Sequence, residues 1–345
     1  MKKLLLTTAI AALSVTAAQA APTVYGKAGV KVQYQSEVPV MDGDEYAVDE
    51  NGKVKMEDGD LTLDSNSTRF GLKGGEAITA NTDFIYKAEF GFDIDQPRGG
   101  SDVKFKQRDT YVGLANDQMG TVVAGRLTAI DDVINFTNPS EYKDAEVIGS
   151  FDGNRINNSM AYFSPEMSGV QLMAMYKLTD ASDGETDGKG DQDGSWGVGG
   201  KYENGPLAAG ITYIKVDDAG EDGKTEWDDV RVSAAYDLTS DLTVSGLYQT
   251  IDFNNKDLED EQSYIIAGEY DIPGSKWDVY AEYDAARDYE GADGSDVDVF
   301  SVGGNYAFTK ATKAQVFAGY TDKSFKNSNL DHDYYGVGAG IVHKF

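Results

Sequence analysis

Alternation with a period of two residues runs through most of this chain, and it limits the possible folds more than any other feature. In residues 83–94, Phe84, Tyr86, Ala88, Phe90 and Phe92 fall on one parity, with Ile85, Lys87, Glu89, Gly91 and Asp93 on the other. A β-strand sends these two sets to opposite faces. Residues 277–285 repeat the pattern, with Trp277, Val279, Ala281, Tyr283 and Ala285 alternating with Asp278, Tyr280, Glu282 and Asp284. Residues 335–345 do so again, with Gly336, Gly338 and Gly340 between apolar partners. Sixteen such runs can be read, near 23–35, 61–74, 81–94, 102–116, 119–127, 154–164, 168–178, 195–203, 206–217, 225–238, 241–253, 260–272, 275–289, 295–308, 311–323 and 332–345.

The connections alternate in length. Tight ones at 116–118, 165–166, 204–205, 239–240, 273–274 and 309–310, and a slightly longer one at 75–80, carry turn chemistry: Gly, Pro, Asn and Asp. Long ones at 36–60, 95–101, 128–153, 179–194, 218–224, 254–259, 290–294 and 324–331 lie between them. This order puts both chain ends on the tight-turn side. An even number of strands, with short turns on one side and long loops on the other, is the layout of a transmembrane β-barrel. The expected fold is therefore all-β: a 16-stranded antiparallel transmembrane β-barrel with short periplasmic turns and long extracellular loops. A strand content of roughly 60% would be anomalous in an ordinary globular domain but is required in lipid, where every backbone polar group must be paired. A soluble sandwich or β-solenoid is the competing architecture. It needs neither strands this long nor aromatics gathered at their ends.

Composition agrees. Lys2 and Lys3, the apolar run 4–15 and Ala18-Gln19-Ala20 read as a cleaved signal peptide over 1–20, leaving 21–345 as one barrel domain. Later apolar runs are too short for a membrane helix of ~20 residues. The chain has 30 basic and 59 acidic residues, a net of −29, and loss of Lys2 and Lys3 takes it to −31. That charge excludes a nucleic-acid partner and attracts cations. There is no cysteine, and the two histidines, His332 and His343, are far from any grouped nucleophile, so no enzyme, cofactor or metal centre is expected. The acidic tracts 41–60 and 180–194 contain only fragments of a calcium-loop pattern, since Lys189 interrupts Asp187 and Asp191. They read as solvated surface loops, with divalent-ion bridging to anionic lipid headgroups left open.

One connection stands out. Residues 125–153, GRLTAIDDVINFTNPSEYKDAEVIGSFDG, have no alternation and carry Asp131, Asp132, Glu141, Asp144 and Glu146. Unstructured connections this long are uncommon unless functional. By strand count it is the third long loop, following the fifth strand, and it is long enough to enter the lumen.

Several stretches, in order, carry a family resemblance: Thr23-Val-Tyr-Gly-Lys-Ala-Gly29, Thr68-Arg-Phe-Gly-Leu-Lys-Gly74, Arg108-Asp-Thr-Tyr-Val-Gly-Leu114, Gly120-Thr-Val-Val-Ala-Gly-Arg126 and a final strand ending in Phe345. Together they resemble the general diffusion porins of Gram-negative outer membranes, over the whole chain. The resemblance implies a homotrimer in the cell outer membrane, in contact with lipid and lipopolysaccharide. It implies an inward-folded third loop whose acids, Asp131, Asp132, Glu141 and Asp144, face a basic wall of Lys27, Arg69, Lys106, Arg108 and Arg155. It also implies that Phe345 is the signal read by the barrel-assembly machinery. Parity supports the wall: Lys27 alternates with Val24, Ala28, Val30 and Val32, and Lys106 shares a face with Arg108. Strict alternation then turns Gln107 and Asp109 toward lipid. Either another subunit covers them or a bulge shifts the register.

The expected function is a water-filled channel for passive diffusion of ions and small hydrophilic solutes, with a cation preference that replacement of Asp131 and Asp132 by Asn should weaken. The alternative is an adhesin or receptor whose barrel displays acidic loops. A substrate-specific channel would need a run of aromatics along the lumen, where the charged and glycine positions fall instead.

Overall fold

The computed structural model describes residues 22–42, 45–95, 105–137, 139–142, 155–178, 194–217, 226–326 and 330–345. The expected signal peptide over 1–20, Asp144, Glu146 and most of the acidic tract 179–194 lie outside these residues. Sixteen strands close one antiparallel sheet. The first eight are β1 (Thr23–Gln35), β2 (Leu61–Ser65 and Arg69–Thr79), β3 (Thr82–Gly91), β4 (Lys106–Asn116), β5 (Gly120–Thr128), β6 (Arg155–Phe163), β7 (Val170–Lys177) and β8 (Trp196–Asn204). The rest are β9 (Leu207–Val216), β10 (Trp227–Asp237), β11 (Leu242–Asp252), β12 (Glu261–Asp271), β13 (Trp277–Arg287), β14 (Ser295–Ala307), β15 (Thr312–Phe325) and β16 (His332–Lys344). Each strand overlaps one of the sixteen alternating runs.

Closure is made by β1 and β16, from Lys27↔Lys344 to Gln35↔Gly336. Beyond the ladder, the Gly26 amide donates to the Phe345 carbonyl (2.9 Å) and the Phe345 amide to the Gly26 carbonyl (3.1 Å). A closed sheet leaves no edge unpaired, which is the condition for crossing hydrocarbon. The two faces separate as the alternation requires. Val24, Val32, Leu72, Phe84, Leu114, Ile211, Ile266, Phe300 and Val337 are among the large apolar side chains exposed on the outside. Polar side chains such as Gln33, Lys87, Arg231, Gln249, Glu282 and Gln315 are buried inside. No helix among the described residues is long and apolar enough to cross a membrane.

Three local departures from simple alternation bear on function. First, β2 breaks at Asn66–Thr68, where Ser67 takes φ +49°. The Thr68 hydroxyl accepts from the Gly29 amide (3.1 Å) and donates to the Gly29 carbonyl (3.0 Å), bridging the gap in the ladder. Second, β4 bulges against β3: the register steps from Ala88↔Thr110 to Phe90↔Gln107, so Arg108 and Asp109 both oppose Glu89. A bulge of this kind re-aims a side chain. Third, a shift between Gly125 and Leu127 disturbs the β5–β6 pairing just before the third long loop.

Two expectations about connections change. The 75–80 turn shortens, because β2 pairs with β3 as far as Thr79↔Thr82. Loop 36–60 has structure of its own, with Glu37–Pro39 paired to Met56–Asp58 and Met41–Asp42 paired to Glu45–Tyr46.

Candidate functional site

The inner wall from β1 to β6 carries a linked strip of charge. Glu89 lies at its centre, opposite the bulge. Arg108 Nε donates to Glu89 Oε1 (2.5 Å), the Tyr25 hydroxyl donates to Oε2 (2.9 Å), and Arg69 Nε lies 3.7 Å from Oε1. Lys87 Nζ joins this group to a second carboxylate, 3.7 Å from Glu89 and 2.7 Å from Asp109 Oδ2. Asp109 Oδ1 accepts from the Thr128 hydroxyl (2.7 Å) and lies 3.3 Å from Arg155 Nε. Four cations thus share two carboxylates, a formal +2. The carboxylates are about 5–6% exposed, whereas the guanidiniums of Arg69, Arg108 and Arg155 are 29%, 26% and 19% exposed. The acids sit beneath and the guanidiniums face the lumen.

The opposite half of the lumen is occupied by the third long loop, built here from residues 129–137 and 139–142. After β5 the chain forms one helical turn, α1 (Ile130–Val133). Ile130, Val133, Ile134 and Phe136 pack into a dry cluster with inward residues of the wall, including Phe163, Met173, Met175, Ala208 and Ile214. Gly210 leaves room for Ile134; a Cβ there would run into the Ile134 side chain. Burial of four large apolar side chains contributes about 1.5–3 kcal/mol each. The segment then tracks around the wall. The Phe136 amide donates to Ser233 Oγ on β10 (3.1 Å), and Ser245 on β11 donates to the Thr137 hydroxyl (2.8 Å). The Glu141 amide donates to the Tyr280 hydroxyl on β13 (3.2 Å). The Tyr142 ring covers Gly319 of β15 and Gly336 of β16, which no side chain could occupy beside it.

The loop is fastened at both described ends. Asp131 Oδ2 lies 3.2 Å from Arg231 Nη2, and both side chains are 0% exposed. Arg231 Nε also donates to Gln249 Oε1 (2.7 Å), and Asp132 lies 4.0 Å from its Nη1. At the far end Glu141 accepts from Gln315 (2.5 Å) and from Asn66 (3.1 Å), and Lys31 donates to its carbonyl (3.0 Å). The break in β2 has a use here: it presents Asn66, whose side-chain oxygen also accepts from Lys27 (3.2 Å).

The sequence-level site is therefore redistributed. Arg69, Arg108 and Arg155 are brought together on the wall. Lys27 lies beside them, within electrostatic reach of Glu141 and Arg69. Asp132 is within similar reach of Arg155. Asp131 does not face that wall; it is buried against Arg231 on the opposite side. Lys106 lies apart and exposed, 3.0 Å from Asp93. Asp109, placed outside when parity is counted from Arg108, is inside: it alternates with Val112 and Leu114 of the outer face, and the bulge brings Arg108 onto the same inner face, which resolves the two open readings in favour of a register shift. Alternation had already put Lys87 and Glu89 on the polar face, yet their role as the centre of the strip was missed. Arg231 was also missed, although its parity with Asp229 and Ser233 marks it as inward.

The family model described as Gram-negative porin matches residues 6–328 of this chain. The chain belongs to the Gram-negative porins. A monosaccharide porin of a Halomonas species is 28% identical over 385 residues, covering all of both chains. An anion-selective porin from Comamonas acidovorans has the same fold, with TM-score 0.70 and 19% identity over 94% of this chain and 99% of that one. An outer membrane protein of Vibrio cholerae, in its trimer form, matches with TM-score 0.66 and 17% identity over 94% and 99%. This porin is thus an outer-membrane channel.

Proposed function

We propose that the protein is a passive diffusion channel for ions and small hydrophilic solutes, of the size that its monosaccharide-porin relative suggests. The observation that carries this reading is the make-up of the lumen: a loop packed on the inner wall, with contacts from β6 round to β15 and to Asn66, shares it with the partly exposed guanidiniums of Arg69, Arg108 and Arg155. Solutes cross by diffusion, selected by cross-section and by lining charge.

Charge selectivity has two contributions of opposite sign. The formal charge of −31 is concentrated in loops such as 36–60, where Glu37, Asp42, Glu50, Glu57, Asp58 and Asp60 are exposed. It draws cations to the mouth. The wall strip carries +2, and one structural neighbour is named for anion selectivity. The mouth acts over a distance, so it weakens as the screening length falls from ~10 Å at 0.1 M salt to ~3 Å at 1 M. The wall acts at contact. A cation preference is therefore expected at low salt, giving way to an anion preference near 1 M. Reversal potentials across potassium chloride gradients at the two ionic strengths check this; a preference of one sign and size at both would refute it.

The working unit of this reading is a homotrimer. Phe70, Phe90, Phe92 and Phe105 form one aromatic cluster on the outer face of β2–β4. Beside it Arg126 donates to the Gln107 carbonyl (3.0 Å) and to Asn157 (2.6 Å), polar groups that a neighbouring subunit accommodates better than lipid does. Phe345, which closes the seam, is read as the signal for the barrel-assembly machinery. One gel tests both points. Membranes expressing the full chain should give a heat-modifiable trimer band, and a chain lacking Phe345 should give little. A monomer from the full chain, or an unchanged trimer from the shortened one, would count against the respective point.

A further inference from the structure

We propose that Glu89 and Asp109, the two carboxylates of the wall, are the residues that set how anion-selective this channel is. The proposal rests on the diffusion-channel reading above and names a control point within it. Its basis is the bulge. Continued from Val112 and Thr110, regular pairing sets Asp109 opposite Glu89 on the inner face, and the bulge adds Arg108 to that face. The register step from Ala88↔Thr110 to Phe90↔Gln107 therefore crowds Arg108 in beside the inward Asp109. There Asp109 meets Lys87 at 2.7 Å and Arg155 at 3.3 Å.

Without these two acids the strip would present Arg69, Lys87, Arg108 and Arg155 as four cations with no counter-charge on the wall. Glu89 compensates Arg69, Arg108 and Lys87; Asp109 compensates Lys87 and Arg155. Each carboxylate contacts at least two cations, so each lowers the local charge while holding the basic groups in place. Because the acids are buried and the arginine side chains about a fifth to a third exposed, a passing anion still meets donors directly. It feels a potential reduced by two charges a few ångströms deeper. The arrangement makes an anion-attracting surface whose strength is limited from beneath, so that anions are drawn in without being retained.

This predicts an effect opposite to that of removing a loop acid for steric reasons. Glu89→Gln and Asp109→Asn each remove one negative charge from beneath the guanidiniums of the strip, taken here as about 7 Å from a passing ion. Under water-like screening that changes the local concentration of a monovalent ion by about threefold, upward for anions and downward for cations. Planar-bilayer reversal potentials in potassium chloride gradients near 0.01 M, where the screening length is ~30 Å, should show each variant roughly twofold more chloride-selective than the parent. The double variant should be more selective still. Glu89→Asp and Asp109→Glu keep the charge and should behave as the parent.

An unchanged ratio in E89Q and D109N, or a shift toward potassium, would overturn the proposal. So would an equal shift in E89D, which would make the effect one of packing rather than charge. If the parent protein gives no conductance at all, the diffusion-channel reading fails first, and that outcome is distinct from the others. If Glu89→Gln fails to assemble, Asp109→Asn tests the proposal independently, because Asp109 lies on the other side of Lys87.

Discussion

Replacing Arg231 by methionine should unseat the inward loop while leaving the barrel assembled. Arg231 is fully buried, held on β10 by backbone pairing to both neighbouring strands, and its guanidinium reaches Asp131 on the loop. Removing one partner of a buried ion pair typically costs about 3–5 kcal/mol, because the remaining charge stays desolvated. Here the remaining charge belongs to a segment that can leave, so the cost falls on loop docking rather than on the sheet. The variant should show larger and noisier single-channel currents and protease cleavage within 129–154, with the heat-modifiable barrel band retained. Parental currents and an uncut loop would show that the apolar contacts of Ile130, Val133, Ile134 and Phe136 hold the loop by themselves. Asp131→Asn should act in the same direction. The effect of changing Asp131 is therefore expected in loop seating, whereas the sequence had suggested an effect on selectivity.

The double variant Arg69→Gln, Arg108→Gln should produce the largest change in selectivity. These two guanidiniums are the most exposed of the strip, and both lean on Glu89. Their loss takes the wall from a formal +2 to zero. Two unit charges at about 7 Å correspond to a change of roughly sevenfold in local ion concentration at low ionic strength, and at 1 M the effect is confined to ions that touch the exposed guanidiniums. At 1 M salt, where the parent is expected to favour anions, the double variant should favour cations, and at low salt its cation preference should deepen. A parental reversal potential at 1 M would remove the strip from any part in selectivity. Lys106→Gln serves as a comparison: its ammonium is exposed beside Asp93, away from the strip, and it should change little.

The barrel was legible in the sequence because lipid enforces the simplest of all patterns. A strand that faces hydrocarbon on one side and water on the other must alternate, and the runs such as 83–94 and 277–285 do so without interruption. What alternation could not supply was any place where the chain skips a step. Asp109 is the clearest case: one extra residue in β4 puts it on the same face as its neighbour Arg108, and no composition cue marks the bulge. Arg231 illustrates a different limit. Its inward direction could be read from Val230 and Val232, but pairing it with Asp131 joins residues a hundred positions apart, through a loop with no periodicity to follow. Glu141 was assigned to the lumen on resemblance, yet its partners Asn66 and Gln315 come from a broken strand and from the far side of the barrel. Local pattern decides which way a side chain points, and tertiary contact decides what it meets.

The seam between β1 and β16 has a consequence for how this molecule comes into being. The first strand to be made pairs early with β2 but finds its second partner only in the last, more than three hundred residues later, and the final Phe345 still adds two backbone bonds to Gly26. Pairing of such long sequence separation is slow to form, since its entropy of closure must be met before the contact returns anything. Until that moment the growing sheet has two raw edges, each able to recruit a foreign strand. Closure is therefore a single late event that any chain stopped short of β16 cannot reach, and the geometry of the seam acts as a test of length applied to every copy before it becomes a pore.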